Sequence, residues 1–270
     1  MKKLLRSSAI IAAIVFLMSC ACPPSVIEEP GSRLALSSKY FNPAEENITI
    51  FLPELQEFPV ENWKVRILEP QYPFNAFYEW TGEGKPPSEL VWDGKSHKGQ
   101  WAHSASDYPV VYTASCTQGD TRAFESKIVV DVFAVPEGSD LRITVPSIVF
   151  GANSENWNGL DPETIANNEW ILSRLALALN KHSEYQVLIE GHANSTVNPE
   201  NMVEHWREQV HELQPLSEMR ARTVADKLVE LNVDGSRLTY YGAGGEYPVA
   251  AWEDHDNWWK NRRVEFILKM

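Results

Sequence analysis

The hydrophobic period of this 270-residue chain changes once, at Pro136-Glu137-Gly138, and no single layer of secondary structure satisfies both halves. Before that point the apolar runs are short and of β type: Ile48-Thr49-Ile50-Phe51, Trp63 to Leu68, Val110 to Thr113 and Lys127 to Val132. Trp63, Val65 and Ile67 alternate with Lys64 and Arg66, which turns one face of a strand inward. Turn clusters such as Pro86-Pro87, Asp93-Gly94 and Gly119-Asp120 separate the runs, and no helical pattern interrupts them. Residues 40–138 are therefore expected to be an all-β sandwich.

After the change, strands alternate with helices. Ile143 to Phe150 reads as a strand, and Thr164 is placed to cap a helix with Ile165, Leu172, Leu175, Ala176 and Leu179 on one stripe. Val187 to Ile189 is a buried strand. Asn198-Pro199 opens a second helix that runs to Leu213, with Met202, Val203, Trp206, Val210 and Leu213 on one side. Ser217 opens a third, where Ala221, Val224, Ala225 and Leu228 have core spacing. Leu238 to Tyr240 and Val264 to Leu268 add two strands, so residues 139–270 are expected to be an α/β (α+β) sandwich with a mixed sheet.

The formal net charge is −13, which excludes a nucleic-acid binder, since neutralising phosphates requires a basic face. Ten Trp, nine Tyr and ten Phe are more aromatic surface than a disordered chain carries. Three cysteines are too few for a disulfide scaffold or a thiolate zinc site, and Cys116, in a strand, is expected to be a small core residue. The amino terminus is different in kind. Lys2, Lys3 and Arg6 precede an apolar run from Ala9 to Met18, the pattern of a secretory signal over residues 1–19 and too short for a spanning helix. Leu17-Met18-Ser19-Cys20 resembles the lipobox of bacterial lipoproteins, in which that Cys is acylated and becomes the new amino terminus. Acyl chains contribute about 0.8 kcal/mol per buried methylene, so the resemblance implies a soluble body held durably at a membrane through Cys20. Residues 20–39, with Pro23, Pro24, Glu28, Glu29 and Pro30, read as an acidic linker.

Two further resemblances concern the bodies themselves. Gly84-Lys85-Pro86-Pro87 followed by Val91-Trp92-Asp93-Gly94 is similar to the Ig-like module of flagellar hook-capping proteins; Asp93-Gly94 suits a turn with positive φ, and Trp92 is expected to pack inward. In the second body four segments occur in order: Ile148-Val149-Phe150-Gly151-Ala152-Asn153-Ser154, Glu190-Gly191-His192-Ala193-Asn194, Leu216-Ser217-Glu218-Met219-Arg220-Ala221 and Asn261-Arg262-Arg263-Val264-Glu265. Together they resemble the OmpA-like carboxy-terminal domain of peptidoglycan-associated lipoproteins and flagellar stators. The resemblance implies non-covalent binding of the peptidoglycan stem peptide, commonly at diaminopimelate, in a groove lined by Asn153, Asn194, Arg220 and Arg262. In the family an Asp at the position of Asn194 meets the ligand's ammonium, and the Arg at the position of Arg220 meets its carboxylate in a bidentate fork. Arg220, just after a cap at Ser217, would also sit beside free backbone N–H groups that favour an anion.

The chain departs from that pattern at Asn194, which carries no charge, at Leu213, where the family commonly has Asn, and by about ten extra residues before Leu216. Three explanations are open: a wall built on another diamino acid such as ornithine, a substitute carboxylate from Glu204 or Glu208 on the inserted helix, or loss of wall binding with the fold reused for contacts to other envelope proteins. No metal, cofactor or catalytic constellation is expected. His97 and His103 flank Trp101 without a nearby carboxylate and read as solvated, His205 and His211 share no helix face, and Ser217 has no His and Asp companions. Trp252, Trp258 and Trp259 are expected to pack their loop onto the sheet. The sequence thus points to a non-enzymatic lipoprotein of the bacterial cell envelope, at the periplasmic face of the outer membrane, linking that membrane to peptidoglycan.

Overall fold

A computed structural model describes residues 26–27, 33–146, 148–151, 154 and 157–270, so the expectations for residues 1–19, Cys20, Cys22 and Asn153 lie outside the described residues. The first part of the chain holds β1 (Val26–Ile27), β2 (Ala35–Leu36), β3 (Tyr40–Phe41), β4 (Ile48–Phe51), β5 (Val60–Leu68), β6 (Ala76–Glu83), β7 (Glu89–Trp92), β8 (Asp107–Cys116) and β9 (Thr121–Val130). One sheet runs β1-β9-β8-β5-β6 with β3 also on β9, and a second runs β2-β4-β7. The alternation read at Trp63 to Ile67 holds, with Val65 and Ile67 fully buried. Residues from both sheets share one core, among them Phe41, Ile48, Ile50, Trp92, Tyr108, Tyr112 and Ile128. Cys116 is buried in β8. Gly94 has φ +82, and a Cβ there would lie 2.3 Å from Pro43 Cβ, so the turn after Trp92 admits only glycine. Leu34 is buried and β2 pairs with β4, so the end of the stretch read as linker is tied into this core.

The second part holds β10 (Val135–Glu137), β11 (Asp140–Val145), α1 (Pro162–Lys181), β12 (Gln186–His192), α2 (Met202–Glu208), α3 (Gln214–Glu230), β13 (Leu238–Gly244) and β14 (Val264–Lys269). Its sheet order is β10-β11-β14-β12-β13, with β12 and β13 parallel and the other pairs antiparallel, a mixed sheet. Alternate residues of the strands (Ile143, Val145, Val187, Ile189, Phe266, Leu268) pack in one cluster with Ile171, Leu172, Leu175 and Leu179 of α1 and Ala221, Val224 and Leu228 of α3. Asp161, not Thr164, caps α1. Its carboxylate accepts from the backbone N–H of Glu163 and Thr164, and Pro162 occupies the first turn, where its missing N–H is harmless.

The segment from Met202 to Glu230 departs most from expectation. In place of two helices it forms one continuous helical run, with a π-helical turn at Gln209–Leu213 joining α2 to α3. Pro215 has no N–H and crowds the preceding turn of an α-helix; the wider turn, in which Gln214 N–H donates to Gln209 O, lets the run pass it. Ser217 is therefore no cap. Its hydroxyl donates to Gln214 O at 3.0 Å and accepts from Gly244 N–H at 2.9 Å, and Arg220 lies inside a helix without free N–H groups beside it. The apolar stripe holds only at its end: Leu213 is buried and Val210 half-buried, but Met202, Val203 and Trp206 are 77%, 66% and 61% exposed, while Glu208 and Gln209 are buried.

The two parts are joined by ion pairs, a ring stack and a shared core. Arg174 of α1 holds Asp131 through both carboxylate oxygens, Lys260 bonds Glu69 at 2.6 Å, and Tyr40 stacks on Trp170 with centroids 5.9 Å apart. Ala105 and Val132 of the first part belong to the same buried cluster as the strands of the second.

Helix α3 approaches the sheet over glycine. A Cβ on Gly191 would lie 2.2 Å from Ser217 O, and one on Gly242 would lie 2.5 Å from Gln214 O and Glu218 N. Gly191→Ala is expected to destabilise the fold by about 1–3 kcal/mol, read as a lower urea midpoint, because backbone must move. Trp206→Ala should change stability by no more than about 0.5 kcal/mol, where a core Trp would cost about 3–5 kcal/mol; a large loss would mean that Trp206 is buried.

Candidate functional site

Where α3, the start of β14 and the strand-to-helix crossover after β11 meet, the surface forms a cavity of about 260 Å³. Arg220, Arg262 and Arg263 line it, with Phe150, Ile148 and Trp259 as its apolar wall. Among the described residues no carboxylate lines it, in a chain of formal charge −13. The guanidiniums differ in state. Arg220 is anchored, its Nε donating to Ser154 O at 3.0 Å and its plane 5.1 Å from the Phe150 ring centre. Arg262 is exposed. Arg263 is buried and donates to Glu265 at 2.7 Å from behind the wall. An anchored and an exposed guanidinium above an apolar floor suit a carboxylate carried on an aliphatic stem.

The expected site residues thus divide. Arg220 and Arg262 come together on one cavity, whereas Asn194 is not among its lining residues. The Asn194 amide is engaged locally: its oxygen accepts from Asn261 Nδ2 at 2.7 Å, and its nitrogen donates to Ser195 O at 2.9 Å. Asn261 in turn accepts from Val249 and Ala250 N–H, so the pair ties the loop after β13 to the end of β12. The candidate substitute carboxylates are engaged as well. Glu208 accepts from Ser195 Oγ, Thr196 N–H and Oγ, and Val197 N–H, and Glu204 pairs with Arg207 on the exposed helix surface. Burial opposes ionisation of Glu208, yet the bonds from Ser195 and Thr196 hold its carboxyl below the usual range. Glu208 is a fastener for the 195–197 loop, which is why the helix turns this polar residue inward.

Phe150 and His192 lie in segments that the sequence marks, but Trp259 and Gln71, which also line the cavity, do not. The two histidines read as solvated also have partners. The His97 ring stacks on Tyr78 and its Nε2 accepts from Glu79 N–H, while His103 packs edge-on to Trp259 at 5.3 Å. Burial, then Lys260 and Arg263, push the His103 imidazole down to about 4, so it is neutral at pH 7 beside a positive field.

Behind the cavity, Glu265 is buried between Arg142, Arg263 and His192, whose Nε2 stands 3.7 Å away. Glu190, His192 and Glu265 lie close enough to share a cation, but two arginines already occupy the Glu265 oxygens and repel one. Burial alone would raise the Glu265 carboxyl; His192 and Arg263 prevail and lower it to about 2. A carboxyl depressed from 4.5 in this way stabilises the fold above about pH 4.5, and the contribution fades as pH falls toward 2. Glu265→Gln should therefore lose about 3 kcal/mol at pH 7, and its urea midpoint should converge with wild type near pH 2. A gap that persists unchanged at low pH would contradict the ion pairing.

Comparison with known proteins agrees with the second part of the chain. Residues 162–262 match the OmpA family. A peptidoglycan-associated lipoprotein of Mesorhizobium japonicum is 33% identical over 103 residues, which are 38% of this chain and 55% of that protein. One of Rhizobium meliloti is 32% identical over 103 residues, 38% of this chain and 52% of that protein. The chain thus spans about half the length of the curated relatives it matches. Among solved structures, the cell wall anchor of the T6SS from Pseudomonas aeruginosa is 25% identical, covering 51% of this chain and 87% of that one with a TM-score of 0.39. Residues 162–262 of this chain are an OmpA family domain.

Proposed function

We propose that this protein is an envelope lipoprotein that tethers a membrane to peptidoglycan without chemistry, by binding a carboxylate of the stem peptide between Arg220 and Arg262. The observation that carries the reading is a cavity lined by Arg220, Arg262 and Arg263 and, among the described residues, by no carboxylate, in an acidic chain. The names of the Mesorhizobium and Rhizobium relatives support the same class of role. In this reading residues 1–19 are removed, Cys20 is acylated at the periplasmic face of the outer membrane, and residues 20–39 begin as a tether. Residues 40–138 are an Ig-like module and residues 139–270 carry the wall-binding function. In the same reading the acyl chains on Cys20 supply the attachment; no helix among the described residues is long and apolar enough to cross a membrane.

The ammonium half of the family's zwitterion grip is neutral here. Asn194 offers one carbonyl oxygen, already accepting from Asn261. Asn153 is the remaining groove residue of the proposal. The wall ligand is therefore held chiefly by its carboxylate, which fits a stem peptide other than the diaminopimelate type or a weaker grip on that type. The second reading, a fold reused for contacts with envelope proteins, draws on the exposed Met202, Val203 and Trp206.

Sacculus co-sedimentation of the full chain in detergent tests the proposal. Wild type should pellet with sacculi of its own organism, and Arg262→Ala should weaken binding by roughly ten- to a hundredfold, the worth of one charged hydrogen bond. Asn194→Asp, whose carboxylate can still accept from Asn261, should strengthen binding to diaminopimelate-type wall by a similar factor. Absence of wild-type binding to every wall, with a crosslinked envelope protein in its place, would move the function to the second reading.

A further inference from the structure

The strand-rich part contributes to the cavity. Gln71, in the β5–β6 connection, lines the same cavity as Arg220 and Arg262, although it lies about 150 residues earlier in the chain than Arg220. The connection is closed at its base by Glu69 N–H donating to Asn75 O at 2.8 Å, and it turns through Phe74 N–H donating to Gln71 O at 2.9 Å. Glu69 at its base, 8% exposed, bonds Lys260 of the second part at 2.6 Å, and His103, in the loop before β8, packs edge-on to Trp259. Both partners sit in the short helical segment His255–Asn261 that leads directly into Arg262. The ends of the groove are thus set by one body and its side by the other.

We infer that the wall-ligand site is a two-domain site, in which the carboxamide of Gln71 reads the peptide amide next to the carboxylate held by Arg220 and Arg262. A carboxamide donates and accepts without charge, which matches a backbone amide and leaves the ligand's charge to the arginines. The strand-rich domain is then a determinant of ligand choice in addition to a spacer. This rests on the proposed reading of the cavity as a stem-peptide site.

The test is titration calorimetry of the full chain in detergent with a soluble tetrapeptide containing diaminopimelate, and with the same peptide whose side-chain carboxylate is converted to an amide. Gln71 is exposed, so its variants should fold with an unchanged melting temperature. Gln71→Ala should raise Kd by about fivefold for both peptides. Gln71→Glu should raise it by about tenfold for the acid and leave the amidated peptide within about twofold of wild type, a reversal that only a residue beside the ligand produces. Wild-type binding with both variants unchanged would overturn the inference and leave the proposed function standing. No wild-type binding to either peptide, with no binding to any sacculus, would overturn both.

Discussion

Helix α3 lies on β12 and β13 with no room for a methyl group between them, and the position of every site residue follows from that contact. Gly191 and Gly242 let the helix backbone at Gln214, Ser217 and Glu218 come against the strands, and Ser217 locks the distance by accepting from Gly244 N–H. Three residues further along the helix, Arg220 then reaches the crossover that follows β11, where Ser154 O accepts its Nε–H and Phe150 lies under its plane. Antiparallel pairing sets Gly191 at the end of β12 opposite Val264 at the start of β14, so Arg262 and Arg263 arrive at the cavity from the other side. A wider helix–sheet spacing would keep the fold class and separate the arginines.

The charge balance of the site is built in layers. Glu265 pairs with Arg263 and Arg142 behind the wall, and Arg220 and Arg262 line the cavity in front of it. Two carboxylates near the site are turned to structural work: Glu208 fastens the 195–197 loop, and Glu69 binds Lys260 across the junction of the two parts. Asn194 likewise serves the Asn261 network that holds the loop after β13. In the proposed reading the cavity receives one negative group, and the neutral Asn194 stands outside its lining.

Much of the fold was legible from period alone. The alternation at Trp63 to Ile67 and the stripe of Leu172, Leu175, Ala176 and Leu179 describe surfaces that do lie in cores. Periodicity failed where a distant backbone decided which face is buried. Met202, Val203 and Trp206 have core spacing, but the N–H groups of Thr196 and Val197 need the Glu208 carboxylate, and that requirement turns the apolar side outward. Ser217 read as the start of a third helix; a π turn instead carries one helical run through Pro215, so Ser217 lies inside the helix and caps nothing. Arg220 and Arg262 were legible as members of four ordered segments. Gln71 and Trp259 were not, since neither belongs to a segment, and Gln71 reaches the cavity only where the first body meets the second.

The central claim is that one ligand carboxylate is held by both Arg220 and Arg262. The most direct measurement is a crystal structure of the full chain with a stem tetrapeptide of its own organism's wall. The account expects a peptide carboxylate oxygen within about 3 Å of each guanidinium, in the cavity floored by Phe150. A peptide found on the exposed Trp206 face, with the cavity empty, would contradict it.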